Sequence, residues 1–296
     1  YRGKDFFKVL FGKKMKSTQE AATLSDVSNL IREADMVIDL YGICFCDRFL
    51  PSSYLRSLIP LYTMLRFPFA CFAKKYRVQS VKNTASYGPA ESTYNRRSAH
   101  FAARHLFDCM VARELKSQEV MQKLGAGNRI FLAPDTANLM PVPERKQIAN
   151  PTVGISTSYQ IVRQWRSAEA YTECIANLCL HMQQTYGLEA LLIPNECNPQ
   201  SVYTDVDVSE EILELLREAG GQAIILDAAH MSSMEIKGAI ASCEGMVASR
   251  YHSCVAALSA GVPLIAIGWH YKYEELLRWY GQEQWILSES DCNSQK

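Results

Sequence analysis

The chain of 296 residues carries 31 basic and 31 acidic side chains, so its formal net charge is zero, and 48% of its residues are hydrophobic. This composition excludes a disordered chain, which is poor in apolar residues and highly charged, and it lacks the basic excess typical of nucleic-acid-binding proteins. We therefore expect a globular protein of one or two domains in which any anion site is local.

Alternating helices and strands are predicted for the first half of the sequence. Ser25 is predicted to cap a helix that reaches Ala34, and a buried strand is predicted over 36–40. Further predicted elements are a strand over 78–85, a helix over 93–107, a strand over 110–112, a helix over 114–124 ending at Gly125, and a strand over 130–133.

The most apolar long stretch, residues 50–73, is interrupted by Arg56, Pro60, Arg66 and Pro68. No part of it approaches the roughly 20 apolar residues that span a bilayer. We expect a buried or interfacial helical stretch, and the second case implies peripheral membrane contact.

The ten cysteines include no C-x-x-C pair, which excludes a zinc ribbon and a thioredoxin motif. Most stand among apolar neighbours, where thiols act as small buried hydrophobes. Free thiols favour a reducing compartment, so we expect a cytoplasmic protein, alone or associated with a membrane.

A segment with three prolines, residues 141–151, is the best candidate for a linker. It separates a predicted N-terminal domain over 1–143 from a predicted C-terminal domain over 151–287. The second half predicts five strand–helix units, with strands over 153–156, 189–193, 223–226, 245–248 and 264–267, and helices over 167–187, 209–220, 233–243, 253–260 and 273–280.

Successive strand–helix units predict a parallel sheet with helices on both faces. The fold class is therefore α/β, and the economical architecture is two facing Rossmann-like domains, as in the GT-B fold. In such sheets ligands bind beyond the carboxyl ends of the strands.

The most informative segment lies after the strand over 245–248, where Arg250 and His252 stand at the start of a helix. Free N–H groups at a helix N-terminus favour an anion, and these two side chains add to that site. Lys272 occupies the equivalent place after the next strand. The alternative is that Arg250 and Lys272 are surface charges and that His252 is a capping or core histidine.

These residues resemble the C-terminal motif of the polysaccharide pyruvyl transferases. The matching segments are Ser249-Arg250-Tyr251-His252-Ser253, Ala260-Gly261-Val262-Pro263 and Lys272, and upstream Met110-Val111-Ala112-Arg113-Glu114 with Ser117, Lys123-Leu124-Gly125, Pro134-Asp135-Thr136-Ala137 and Ser86-Tyr87-Gly88-Pro89. The resemblance as a whole extends from about residue 34 to residue 277.

The sequence departs from the family pattern at three places. Tyr41-Gly42 replaces a glycine pair, and Asn195-Glu196 stands where the family has a histidine, so we assign no role there. The usual N-terminal strand with its glycine-rich loop is absent. Either the N-terminal domain is incomplete in this chain or this member differs.

The resemblance implies transfer of a pyruvyl group from phosphoenolpyruvate to two hydroxyls of a sugar in a cell-surface polysaccharide precursor, which forms a cyclic ketal and releases phosphate. It implies a saccharide or lipid-linked saccharide acceptor on the N-terminal domain and the donor on the C-terminal domain. Phosphoenolpyruvate is a co-substrate, and no cofactor, metal or nucleic acid is implied.

The resemblance also suggests roles for the matched residues. Arg113 and Arg250, one from each domain, would clamp the donor with Ser253, because arginine matches carboxylate and phosphate oxygens bidentately. His252 would donate the proton to C3 of the donor or, alternatively, bind phosphate. Lys272 would stabilise the departing phosphate.

Acceptor or loop roles are considered for Asp39, Gly42, Asp47, Gly88, Asp135 and Trp269. For the aspartates the alternative is capping or turn formation, for Gly88 a structural turn, and for Trp269 packing in place of stacking on a sugar.

Two further interpretations stay open. One is a nucleotide-sugar glycosyltransferase of the same GT-B architecture, with Glu274 or Glu275 as the candidate ribose ligand. The other is a catalytically silent saccharide-binding relative, against which the intact set of Arg113, Arg250, His252 and Lys272 argues.

Overall fold

The computed structural model of the chain describes residues 6, 10–11, 19–47, 58–145, 150–165, 167–268 and 270–292. The chain divides into two compact units, Tyr1–Asp135 and Thr136–Lys296. Each unit has its own parallel sheet, which confirms the predicted α/β class. Residues 141–145 of the predicted linker belong to the second unit, where Arg145 donates hydrogen bonds to the carbonyls of Ala241 and Cys243.

The described strands of the first unit form one sheet in the order β1-β3-β4-β5, and β2 also pairs with β3. Their bounds are β1 Met36–Asp39, β2 Ile43–Cys44, β3 Gln79–Tyr87, β4 Cys109–Ala112 and β5 Ile130–Leu132. The strand β3 is long enough to pair with β1 through its first half and with β2 through its last two residues. The four strands predicted in this half are confirmed, but the prediction that the first of them is buried is wrong. Strand β1 lies at the edge of the sheet, and the side chains of Met36 and Ile38 are exposed.

The α-helices for which the structure describes continuous ranges in the first unit are α1 Gln19–Glu33, α2 Ile59–Arg66, α3 Pro68–Tyr76, α4 Thr93–His105 and α5 Leu115–Met121. The predicted cap at Ser25 is wrong, because α1 has already begun at Gln19. The helix predicted over 114–124 is two pieces: after α5 the chain makes a π-helical turn, Gln122–Ala126, in which Gly125 adopts a φ of 96°.

The apolar stretch over 50–73 is described from residue 58 onward, and residues 50–57 lie outside the described residues. Its described part forms α2 and α3, which are separated at Phe67 and Pro68 because proline begins a new helix more readily than it continues one. In the described part of the chain, no helix is both long and apolar enough to cross a membrane.

The second unit contains a six-stranded parallel sheet in the order β11-β10-β9-β6-β7-β8. The strands are β6 Thr152–Ser156, β7 Glu189–Leu192, β8 Ala223–Ile225, β9 Gly245–Ala248, β10 Leu264–Ile267 and β11 Ile286–Leu287. The central strand β6 is buried at every residue, as expected of a strand covered on both faces.

The helices of the second unit are α6 Tyr159–Val162, α7 Ala168–Tyr186, α8 Asp205–Glu218, α9 Ser233–Ala241, α10 Tyr251–Ser259, α11 Tyr271–Arg278 and α12 Glu289–Cys292. The predicted cap Ser167 and stop Gly187 of α7 are confirmed. The predicted cap Ser209 is wrong: α8 begins four residues earlier, where Thr204 and Asp207 form a capping box.

The strand order of the second unit places a switch point at the centre of its sheet. From β6 the chain builds β7 and β8 on one side and then β9, β10 and β11 on the other. The loops that follow β6 and β9 therefore leave neighbouring strands in opposite directions and open a crevice at their carboxyl ends. Arg250 lies in the loop after β9, so the predicted anion site lies at this switch point.

Candidate active site

Arg250 forms a forked ion pair with Asp205 in the switch-point crevice. Its Nε donates to Oδ2 of Asp205 at 2.8 Å, and its Nη2 donates to Oδ1. The Asp205 side chain is fully buried, whereas 21% of the Arg250 side chain is exposed. Nη1 of Arg250 has no hydrogen-bond acceptor among the described residues.

The ring of Tyr159 packs against this guanidinium, whose carbon lies 5.0 Å from the ring centroid. Arg163 contacts the same ring at 5.1 Å. Burial by itself lowers the pKa of Arg250, but the hydrogen bonds and charge of Asp205 outweigh it, so the pKa is raised above its usual value. Arg250 is therefore a permanent cation held in one position.

Ser253, the third residue of α10, is buried in a small polar network. The amide nitrogen of Asn195 donates to the hydroxyls of Ser156 and Ser253, both at 3.0 Å, and Ser156 donates to Ser253 at 2.9 Å. The network joins the carboxyl end of β6 and the loop after β7 to the start of α10. Ser253 thus fixes the N-terminus of α10 against the sheet.

Ser249 is held by two tyrosines from distant parts of the second unit. Its hydroxyl shares a hydrogen bond of 2.9 Å with the hydroxyl of Tyr171, and its carbonyl accepts from Tyr273 at 2.9 Å. Burial raises the pKa of Tyr171, so this phenol stays protonated. The hydroxyl of Ser158, in the loop after β6, is buried and has no hydrogen-bond partner in the described part of the chain.

His252 and Lys272 lie near the N-termini of α10 and α11, and Lys272 is half-buried, as Arg250 is. His252 is exposed as the second residue of α10, and its ring meets the ring of Tyr251 edge to face at 5.6 Å. The Lys272 ammonium lies 5.4 Å from the ring centroids of both Tyr251 and Tyr273. Lys272 therefore contacts the first turn of α10, which carries His252, through the ring of Tyr251.

Trp269 lies outside the described residues. Its neighbour His270 is the N-cap of α11, where Nδ1 accepts a hydrogen bond from the backbone of Lys272 at 3.4 Å. The described residues contain no group of three or more histidine, cysteine or carboxylate side chains that could hold a metal ion.

Arg113 of the first unit is buried between two carboxylates. Its Nε donates to Glu114 at 3.0 Å and to the hydroxyl of Ser86 at 2.8 Å, and its Nη1 donates to Asp135 at 2.7 Å. The side chain is only 4% exposed. Its guanidinium ties the carboxyl end of β3 to the segments that follow β4 and β5 at the carboxyl edge of the first sheet. Donor binding by Arg113 stays a prediction.

Asp39 and Gly42 lie beside this carboxyl edge. Asp39 accepts a hydrogen bond of 2.7 Å from Lys82, whose ammonium is fully buried and also donates to the carbonyl of Tyr41. A Cβ on Gly42 would lie 3.5 Å from Nη1 of Arg113. That is an ordinary van der Waals distance, so Gly42 lies beside the buried guanidinium at a position where a Cβ would also fit.

Asp47 anchors the N-terminus of α4. It accepts four hydrogen bonds, from the backbones of Glu91 and Ser92, the hydroxyl of Ser92 and the amide of Asn95. Burial raises the pKa of Asp47, but these bonds outweigh it and hold the pKa below its usual value. Gly88 adopts a φ of 90° in the loop before this helix, so its contribution is a backbone turn that few other residues adopt.

Two residues at the centre of the site were missed by sequence reasoning, Asp205 and Asn195. The signal for Asp205 was the Thr204-x-x-Asp207 capping pattern, which places Asp205 in the first turn of α8. Asn195 belongs to the Asn195-Glu196 pair to which we assigned no role from the sequence. Only the strand order brings these loops together with Arg250.

The arrangement in the second unit can bind an anion. A cation fixed by a buried carboxylate stands at a helix N-terminus, and a second cation and an exposed imidazole lie against the same turn. Arginine forks bind carboxylate and phosphate oxygens with defined geometry, and an imidazole can transfer a proton near neutral pH.

Two solved structures show the fold that this chain shares. The UDP-N-acetylglucosamine 2-epimerase of Methanocaldococcus jannaschii matches with a TM-score of 0.55 and 11% identity over 97% of this chain and 79% of its own. Anabaena HepE in complex with UDP and glucose matches with a TM-score of 0.50 and 15% identity over 88% of this chain and 66% of its own. The similarity confirms the predicted GT-B-like fold.

No curated protein sequence matches this chain. The family model for polysaccharide pyruvyl transferases matches residues 46–271, which include Arg113, Arg250 and His252. The chain therefore belongs to the polysaccharide pyruvyl transferase family.

Proposed function

We propose that the chain transfers a pyruvyl group from phosphoenolpyruvate to two hydroxyls of a saccharide, forming a cyclic ketal and releasing phosphate. The observation that carries the proposal is the fixed Arg250 at the N-terminus of α10, with His252 and Lys272 against the same helix turn. Family membership supports a transferase.

The donor is a small anion with a phosphate and a carboxylate. Asp205 occupies Nε and one N–H of Nη2, so the Nη1 side of Arg250 is left to bind the donor. The first N–H groups of α10 have no acceptor within the helix and carry the positive end of its dipole. Lys272 is proposed to stabilise the phosphate as it departs, and Arg113 is retained as a second proposed donor ligand.

In the proposed reaction His252 donates a proton to C3 of the donor, which makes C2 electron-deficient. The first hydroxyl forms a C–O bond to C2 and loses its proton to the imidazole. The second hydroxyl forms the second C–O bond as the bond between C2 and the phosphate oxygen breaks. Its proton leaves with the phosphate, so C3 gains one proton and the two hydroxyls lose two.

A nucleotide-sugar glycosyltransferase is the competing enzyme, and it needs a carboxylate to hold the ribose. Glu274 and Glu275, the two candidates, both accept hydrogen bonds from Arg278, at 2.9 and 2.7 Å. Because both carboxylates already accept hydrogen bonds from Arg278, we favour the pyruvyl donor over a nucleotide.

A thermal titration separates these donors. The midpoint of unfolding is measured with phosphoenolpyruvate, UDP and GDP in the wild type, in Arg250→Lys and in Arg163→Lys, which alters the other guanidinium on Tyr159. A ligand that binds the folded state raises the midpoint. We expect phosphoenolpyruvate alone to stabilise the wild type and Arg163→Lys, and Arg250→Lys to lose the effect.

Stabilisation by UDP or GDP alone would replace the proposal with the glycosyltransferase, and no stabilisation by any of the three would favour a silent relative. Transfer itself is tested by incubating phosphoenolpyruvate with a panel of hexosides, because a pyruvyl ketal adds a new methyl signal to the proton NMR spectrum.

We also propose that the first unit holds the acceptor and that a lipid-linked acceptor is met at the cytoplasmic face of a membrane. Helix α4 exposes Arg96, Arg97 and Arg104, none of which has an ion-pair partner in the part of the chain that the structure describes. Helix α4 packs against α2 through the Thr63 and Ser98 hydroxyls, 2.7 Å apart. A basic face of this kind suits anionic headgroups.

Sedimentation with vesicles tests this contact. We expect the chain to bind vesicles rich in phosphatidylserine at low salt and to bind neutral phosphatidylcholine vesicles weakly. A triple charge-neutral variant, Arg96→Gln with Arg97→Gln and Arg104→Gln, should lose the preference, and equal binding by that variant would refute the role of α4.

A further inference from the structure

The carboxylate of Asp205 collects five N–H donors in a fully buried position. Its Oδ1 accepts from the backbone of Tyr159 at 2.9 Å and from Arg250, and its Oδ2 accepts from the backbones of Asn195 and Glu196 at 3.1 and 2.9 Å and from Arg250 at 2.8 Å. A carboxylate accepts bidentately from one arginine and still has lone pairs for backbone donors.

These bonds join three loops that leave the carboxyl edge of the second sheet. Tyr159 follows β6, Asn195 follows β7 and Arg250 follows β9. Asp205 itself begins α8, and its backbone carbonyl accepts from the hydroxyls of Thr157 and Ser209 at 3.2 and 2.8 Å. Its carboxylate therefore stands at a fixed point of the crevice, independent of any ligand.

A guanidinium offers two forks, one formed by Nε and Nη2 and one formed by Nη1 and Nη2. Asp205 fills the first, and the second has no acceptor among the described residues at Nη1. We infer that Asp205 is a positioning residue, which holds Arg250 so that its Nη1–Nη2 fork is presented to an anionic ligand. For the identity of that ligand, phosphoenolpyruvate, the inference rests on the proposed function.

Positioning has a measurable consequence for affinity. Without the fork to Asp205, the Arg250 side chain samples several rotamers, and binding must then order it. We expect Asp205→Asn to weaken the binding of the anion by about tenfold. The amide cannot accept both arginine donors, because its nitrogen is a donor itself.

A matched control separates positioning from stability. Ser209→Ala removes a buried hydroxyl that bonds to the Asp205 carbonyl and to Thr157, so it weakens the same helix start without touching the carboxylate. Dissociation constants for phosphoenolpyruvate, UDP and inorganic phosphate are measured calorimetrically in the wild type, in both variants and in Arg250→Lys, at a temperature where each is folded. Asp205→Glu, which keeps the charge and moves the fork by one methylene, serves if Asp205→Asn does not fold.

We expect Ser209→Ala to bind the anion within about twofold of the wild type and Asp205→Asn to lose about tenfold. Adding Arg250→Lys to Asp205→Asn should cost less than Arg250→Lys costs alone, because the fork is already lost. If Asp205→Asn binds phosphoenolpyruvate as the wild type does, the inference fails and the proposed function stands.

If UDP binds instead and that binding depends on Asp205, the proposed function fails and the inference stands. Failure of all three anions to bind the wild type overturns both, because Arg250 is then no anion ligand.

Discussion

Replacing Arg250 by alanine should destabilise the second unit strongly. The change leaves the Asp205 carboxylate fully buried without its cation, and breaking a buried ion pair in this way costs about 3–5 kcal/mol. Three backbone N–H groups still bind that carboxylate, at 2.9 to 3.1 Å. We therefore expect the lower end of the range, about 3 kcal/mol of the free energy of unfolding.

The double variant Arg250→Ala with Asp205→Asn removes the unpaired charge as well as the cation. We expect its loss of stability to be smaller than the sum of the two single losses by about 1–2 kcal/mol, because the two residues interact directly. Arg163→Ala is the matched control. It removes an exposed guanidinium that also contacts Tyr159, and we expect a loss below about 1 kcal/mol.

Urea unfolding followed by tryptophan fluorescence is the assay. All four tryptophans, Trp165, Trp269, Trp279 and Trp285, belong to the second unit, so their emission follows that unit alone. The slope of the transition should stay constant across the variants, which shows that the same surface is exposed. A loss below about 1 kcal/mol for Arg250→Ala, or additive losses in the double variant, would refute the coupling.

Three further predictions concern other parts of the fold. Gly154→Ala, in the central strand β6, would place a Cβ 2.5 Å from the sulfur of Met246. This overpacking should lower the free energy of unfolding by about 1–3 kcal/mol, and the same fluorescence assay measures the loss. The pKa of the Asp47 carboxyl is lowered in the folded chain. The contribution of this carboxyl to stability is therefore complete above the unfolded pKa of about 3.9 and is lost as the pH falls through the folded pKa. In an acid titration followed by circular dichroism, the stability of Asp47→Asn should depend less on pH over that range than the stability of the wild type does. Burial raises the pKa of Cys179 and of Cys254 to about 12. Mass spectrometry after iodoacetamide treatment should therefore find both thiols labelled only when urea is present. Labelling of either thiol in the folded chain would contradict their burial.

Local sequence patterns predicted the elements whose boundaries depend on neighbouring residues. Helix α7 has a capping serine, Ser167, and a left-handed glycine at its end, Gly187, and both signals act within one turn of the helix. The start of α8 was predicted too late, at Ser209, because a serine followed by two glutamates also fits a helix start. In the structure Ser209 lies inside α8 and bonds to the carbonyl of Asp205.

Local sequence patterns also predicted part of the candidate site. Arg250, His252 and Ser253 are neighbours in sequence between a strand and a helix, so their place at a helix N-terminus follows from local pattern. The partners of Arg250 and Ser253 were not predictable. Asp205 is 45 residues from Arg250 and Asn195 is 58 residues from Ser253.

The sequence by itself determined the α/β class, the alternation of strands and helices and the strand–arginine–helix segment, because these depend on periodicity and capping over a few residues. Only the tertiary structure decided that β9 lies beside β6, that Asp205 is the carboxylate that fixes Arg250, and that Arg113 is buried between Glu114 and Asp135. Strand order depends on pairings between residues that are far apart in sequence. The partner of a buried charge depends in turn on which loops that strand order brings together.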